Sequence, residues 1–329
     1  MSLARRQHGL SMVELMVALA VSLFLVLGVI QVYLGNKQTY RLTDSMSRVQ
    51  ENGRFAMETL ARDLRMADFW GCAGYANVSK NDLDTTNAGY DPNIHNFSGT
   101  NDGLRGTDNT GLNGSDTLTL RGAIPGGVNV EAPAAPTTSS SLKVTAGDHG
   151  LQIGDIIMVS DCSGADIFQI TNLQTSGSKH NVVHNSGSTG VVPGNASGDL
   201  SKTYLGNASI YKMRVVTYSV AAGPSGEPAL YVNDNGQSYA LVEGVENMQI
   251  LYGEDVNNDS VADRYVAYGS VGDIENVVSV RIELLVRAPE TGVLDEAQTL
   301  TYNGTSTTYS DRRLRQVFSS TITIRNRAL

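Results

Sequence analysis

Residues 9–34 read GLSMVELMVALAVSLFLVLGVIQVYL, and this stretch decides the fold. From Leu15 to Leu34 the only polar or small interruptions are Ser22, Gly28 and Gln31. As a helix rising 1.5 Å per residue, such a run covers roughly 30 Å, the thickness of a bilayer's hydrocarbon core. Arg5 and Arg6 precede it and no acidic residue stands among the first nine. The positive-inside tendency then keeps the N-terminus cytoplasmic and sends the remainder across the membrane. A secretory signal would end in a small-x-small cleavage site, whereas this run ends in VYLGNKQTYR, which offers none. Processing is instead expected ahead of the apolar run, where Gly9 lies five residues before Glu14.

The rest of the chain is of another kind. All eight prolines lie at or after Pro92, so one long helix is free to form at the start. Past Leu34, residues Met46, Val49, Gly53, Met57, Leu60, Leu64 and Ala67 recur at steps of three and four. Arg48, Glu51, Glu58, Arg62, Asp63 and Arg65 occupy other faces, and Glu58 and Arg62 are spaced for an ion pair. This predicts an amphipathic continuation ending near Gly71. The polar, turn-rich text from Val78 to Ser115 predicts a long surface excursion. Strands are expected at DTLTLRG, IIMVSDC, IYKMRVVTYSV, ALYVND, YALVEGVENMQILYG, VVSVRIELLVR and TITIRN, with APAAPTTSSS as a loop. A helix followed by antiparallel strands is an α+β plan, in which the helix covers one sheet face. The expected organisation is 1–9 leader, 10–34 membrane half of the helix, 35–71 amphipathic half, and 72–329 β-rich head.

Composition narrows function by exclusion. Lys and Arg number 24 against 33 Asp and Glu, a net charge of −9, and no dense basic cluster breaks the acidic background, which disfavours nucleic-acid binding. The five histidines stand in no HExxH pattern, and KHNVVHNSG reads as strand or loop. With no phosphate-loop motif and no nucleophile motif, an enzyme is not expected. A membrane-tethered periplasmic enzyme or binding protein is the alternative from another class.

ARRQHG/LSMVELMVALAVSLFLVLGVIQVY resembles the N-terminal signal of type IV prepilins and pseudopilins. The resemblance implies cleavage by a prepilin peptidase between Gly9 and Leu10, methylation of the new Leu10 amine, and pairing of Glu14 with the N-terminal amine of a neighbouring subunit. The usual first mature residue in that family is phenylalanine; leucine stands here. A charge near the bilayer interior costs about 2.5–3.5 kcal/mol unless compensated, which is why a partner is expected. The other reading of Glu14 places its carboxylate among lipid headgroups, in water.

SDCSGADIFQITN (160–172), YALVEGVENMQILYGEDVNNDSVADRYV (239–266) and RRLRQVFSSTITIRNR (312–327) are similar to the PilW family of minor pilins. That implies a subunit of the inner membrane with its head in the periplasm, which is assembled into a type IV pilus. It would prime assembly and sit in a tip complex serving twitching motility or adhesion. Implied partners are other minor pilins, the major pilin, the prepilin peptidase, the inner-membrane assembly platform and a large tip adhesin. A type II secretion pseudopilin shares the same plan and is the nearest alternative. In an oxidising periplasm Cys72 and Cys162 can close a loop of about ninety residues, worth roughly 4–5 kcal/mol in chain entropy. Two separate buried thiols are the alternative. No cofactor is required by this reading. A calcium ion is the one candidate, held by Asp255, Asn257, Asp259, the Val261 carbonyl and Asp263 at alternate positions of a loop. Ser260 and Val266 stand where a full EF-hand has glycine and glutamate, and the competing reading is a turn whose side chains cap their own backbone.

Overall fold

The computed structural model describes residues 11–72, 78–97, 103–131, 137–187 and 190–327. Its first element, α1 (Met12–Met66), is a single helix of 55 residues, about 80 Å long at the standard rise. After α1 come β1 (Val78–Asn81), the one-turn helix α2 (Pro92–His95), β2 (Leu104–Thr107), β3 (Thr117–Ala123), β4 (Val128–Asn129) and β5 (Leu142–Thr145). Next are β6 (Ile156–Ser160), β7 (Ala165–Gln169), β8 (Asn172–Ser176), β9 (Lys179–Val183), β10 (Ser209–Ala222) and β11 (Pro228–Asp234). The last are β12 (Gln237–Glu243), β13 (Val245–Glu254), β14 (Arg264–Val266), β15 (Val277–Arg287), β16 (Gln298–Tyr302), β17 (Thr305–Tyr309) and β18 (Arg315–Thr323).

β10 organises the head because it belongs to two neighbourhoods at once. Its first residues, 209–212, pair with β4 and β6, while the stretch from Met213 pairs with β3 and then β11. The resulting sheet runs β1-β7-β6-β10-β11-β12, with β2 joined through β3. A second, four-stranded sheet runs β14-β13-β15-β18, and β5-β9-β8 form a third.

Two cores result. Val49, Ala56, Leu60 and Leu64 of α1 pack with Leu118, Tyr218, Leu230, Ile250, Ile282 and Ile322, so the helix closes the space between the two large sheets. Gly53 allows the closest approach: a β-carbon there would sit 2.2 Å from the Phe318 ring of β18. The second core contains Leu142, Val144, Ile157, Phe168, Val182, Tyr204 and Ile210, and no residue of α1. The chain from Val130 to Ile210 thus builds an inserted lobe, joined to the helix-packed lobe by a third cluster around Trp70, Met158 and Met213.

Several expectations need correction. The helix ends at Met66, short of Gly71, because Asn326 donates to the Ala67 carbonyl at 2.9 Å and Asp68 turns into the left-handed region at φ 61°. The run 239–253 is two strands, since Gly244 adopts φ 90° with room for a β-carbon only 2.8 Å from the Arg287 carbonyl. The excursion from Val78 to Ser115 is not confined to the surface: Leu83, Phe97 and Leu104 are buried. Asp63, placed by periodicity on a polar face, is buried under the helix, and Arg62 pairs with it at 3.3 Å instead of with Glu58.

Candidate assembly interface

The helix is two surfaces end to end. From Met12 to Leu34 every residue is exposed, and this part is long and apolar enough to cross a membrane. From Ser45 onward one stripe is buried against the head. Glu14 sits at the free end, inside a capping box: the Glu14 N–H donates to Ser11 Oγ at 3.2 Å, and the Ser11 N–H donates to Glu14 Oε2 at 2.9 Å. Each residue thereby satisfies a helix-end donor that has no partner within the helix. The box holds one carboxylate oxygen and leaves Oε1 for a partner. Gly9 and Leu10 lie outside the described residues.

The head is clamped to α1 at points spread along its length. Arg41 pairs with Glu290 at 3.0 Å and donates to the Thr291 carbonyl, and Asn52 donates to the Glu243 carbonyl at 3.0 Å. Asp63 accepts from Arg214 at 3.0 Å and from the Tyr218 hydroxyl at 2.8 Å. Burial and the Asp63 charge push the Tyr218 pKa up, so the phenol stays a proton donor to the carboxylate. Burial opposes the Arg214 charge, but its bonds to Asp234 and Asp63 more than offset this and raise its pKa. At the helix exit Asp68 accepts from Trp70 Nε1 at 2.6 Å and pairs with Arg327, which ties the end of β18's chain to the end of α1.

Cys72 and Cys162 are bonded to each other, across 90 positions of sequence. The bridge joins the helix exit to the segment between β6 and β7, and so to the inserted lobe. In the loop from Asp255 to Asp263 the acidic side chains face the turn itself. Asp255 accepts from the N–H groups of Asn257, Asn258, Asp259 and Ser260. Burial works to raise its pKa, but these amides outweigh it and hold the carboxyl below its ordinary value. Asp259 accepts from the Val261 N–H at 2.9 Å, while Asp263 accepts from the Val256 N–H at 2.8 Å and from the Asn257 side-chain amide. This is the self-capping turn, and among the described residues no three acidic, imidazole or thiol groups converge as metal ligands. His149 and His180 meet at 2.6 Å, whereas His184 is turned away to the Ser140 carbonyl.

The family models match at both ends of this architecture. Residues 4–30 match the prokaryotic N-terminal methylation motif, and residues 217–326, from within β10 to Asn326 at the exit of α1, match type IV pilus-assembly protein W. Both matches support a type IV minor pilin of the PilW type. A type IV-like pilin from Thermus thermophilus also matches, at 19% identity over 36% of this chain and 70% of that one. Its TM-score of 0.25 is too low for the overlap to bear on the argument. No curated protein matches the chain. Pilins of this family are structural subunits that interact with other pilins and with the pilus machinery. The PilW match covers the second half of β10 and β11 to β18, whereas β2, β3 and the inserted lobe lie outside it. Sequence reasoning missed the capping box, although Ser11-x-x-Glu14 is its usual signature. It also missed the Asp63 anchor, for which a charged residue beside a buried stripe gives no signal.

Proposed function

We propose that this minor pilin is held in the inner membrane by a single pass of α1, with its head in the periplasm, and that it primes pilus assembly within a tip complex of minor pilins. The observation that carries the reading is the free end of α1, where Glu14 keeps one carboxylate oxygen available at the start of a wholly exposed apolar face. In this reading Glu14 receives the Leu10 amine of a neighbouring subunit, and the apolar face packs beside that neighbour's helix. A charge pair formed in hydrocarbon offsets most of the cost of placing either charge there alone. The disulfide supports a head outside the cytoplasm, since such bonds persist in oxidising compartments.

Intact-mass and N-terminal analysis of the protein from its native membrane tests the proposal. A chain starting at Leu10, one methyl group heavier, and found only when the prepilin peptidase is present, is the expected result. A chain still carrying residues 1–9 in the presence of the peptidase would reduce α1 to a simple tether.

A further inference from the structure

The outer edges of the two large sheets are not alike. β12 pairs with β11 through a bulge, and Asn52 of α1 occupies its Glu243 carbonyl. β14 has three residues, and β1 has four with a break in register. Short strands, bulges and covering groups are the ordinary means of keeping a sheet edge from pairing with another chain. β18 has almost none of them. It runs nine residues, RQVFSSTIT, with no proline, no charge after Arg315 and an unbroken ladder to β15.

The ladder fixes which groups face outward. Ile324 donates to the Val278 carbonyl, so the even-numbered residues of β18 address β15 and the odd-numbered ones point away. Arg315 confirms the phase, for its outward N–H and C=O are both held by the Gln298 side chain, at 2.8 and 3.0 Å. Beyond that point Val317, Ser319, Thr321 and Thr323 direct their backbone N–H and C=O groups outward, and among the described residues β15 is the only strand beside β18 in its sheet. Ser319, Thr321 and Thr323 are small and exposed, so no side chain obstructs the approach.

We propose that β18 receives an extended, uncharged strand from the head of a different pilin, which continues the β14-β13-β15-β18 sheet across the subunit boundary. The proposal rests on the reading that this chain assembles with other pilins. Its position favours that occupant, because α1 lies directly on β18 at Gly53 and Phe318. A neighbour whose helix packs alongside α1 brings its head to this edge. A second copy paired antiparallel through its own β18 does not fit. Antiparallel pairing of β18 with itself needs a two-fold axis normal to the sheet, which reverses the direction of any helix lying on that sheet. The two apolar halves would then point in opposite directions and could not enter one membrane from one side.

Hydrogen exchange on the full chain, alone and in complex with co-produced pilins of its own organism, tests this. In the complex, the amides of Val317, Ser319, Thr321 and Thr323 should exchange about a hundredfold more slowly than in the isolated protein. Thr321→Pro removes an outward N–H and one long, exposed contact from Arg281 at 3.4 Å, so it should leave the melting temperature nearly unchanged and the Leu10 terminus intact while cutting the recovered complex about tenfold. Ser319→Lys, which leaves the backbone intact, should do the same through an edge charge. A complex protected only along residues 12–34, and recovered normally with both variants, overturns the edge proposal and leaves the pilin reading standing. Protection of β18 in a self-associated chain without partners overturns the choice of occupant. Failure of the unsubstituted chain to join any pilin overturns both readings.

Discussion

The two lobes of the head solve the problem of burial differently. The helix-packed lobe draws its core from residues as far apart as Val49 and Ile324, and it cannot close without α1. The inserted lobe builds its core between Val130 and Ile210, owes nothing to the helix, and is tied back to the helix exit by one covalent bond. In the proposed assembly, the part that presents a helix to neighbours is therefore the part whose stability depends on that helix. The other lobe is free to differ in sequence, provided that its staple and its β10 junction remain.

This contrast can be broken most forcefully at the staple. Replacing Cys72 and Cys162 by serine removes a closed loop of about ninety residues, worth about 4–5 kcal/mol in chain entropy. Calorimetry should show a large fall in stability, with amide protection lost first in β5 to β9 and the strands under α1 spared. Equal loss in both lobes would mean that they unfold as one unit. Next in size, Leu60→Ala empties a fully buried position on α1 and should cost about 3 kcal/mol. Here the order reverses, with β15 and β18 losing protection before the inserted lobe does.

The smallest effect concerns acid. Asp311 is held at a pKa of about 2 by its bonds to Arg315, against an ordinary 3.8. Glu227 is also low, because its bonds to Arg313 and Arg287 outweigh its burial. A carboxyl whose pKa is lower in the folded state stabilises the fold above its unfolded value and loses that contribution as pH falls toward its folded value. The melting temperature of the helix-packed lobe should therefore decline between pH 3.8 and about 2, and Asp311→Asn should flatten the decline. A wild-type curve with no slope in that window would show that the Arg315 pairing adds nothing to stability.

The long helix was legible because its signal is local: an apolar run, then a repeat of three and four, in a chain without proline before Pro92. β10 and β15 were legible for the same reason. What escaped depends on residues distant in sequence. Gly244 divides a continuous strand-like run only because the Arg287 carbonyl lies against it. Asp63 is buried only because Arg214 and Tyr218 meet it. β1 lies in polar text and is a strand through its parallel pairing with β7, a contact that local periodicity cannot register. At the interface, the position of Glu14 could be read from its spacing, and its capping box with Ser11 was equally open to reading from the Ser11-x-x-Glu14 pattern.

The joining of Arg327 and Asn326 to the exit of α1 has a mechanical consequence. In the filament proposed above, tension along α1 would be resisted by the head at Arg41, Asn52, Asp63 and finally at the C-terminal clamp. These attachments lie one after another along the shaft, so they are loaded together in shear. A head fixed at only one end would instead be peeled away bond by bond. Fastening the last strand to the far end of the helix turns the subunit into a tension member, whose weakest contact is not reached first.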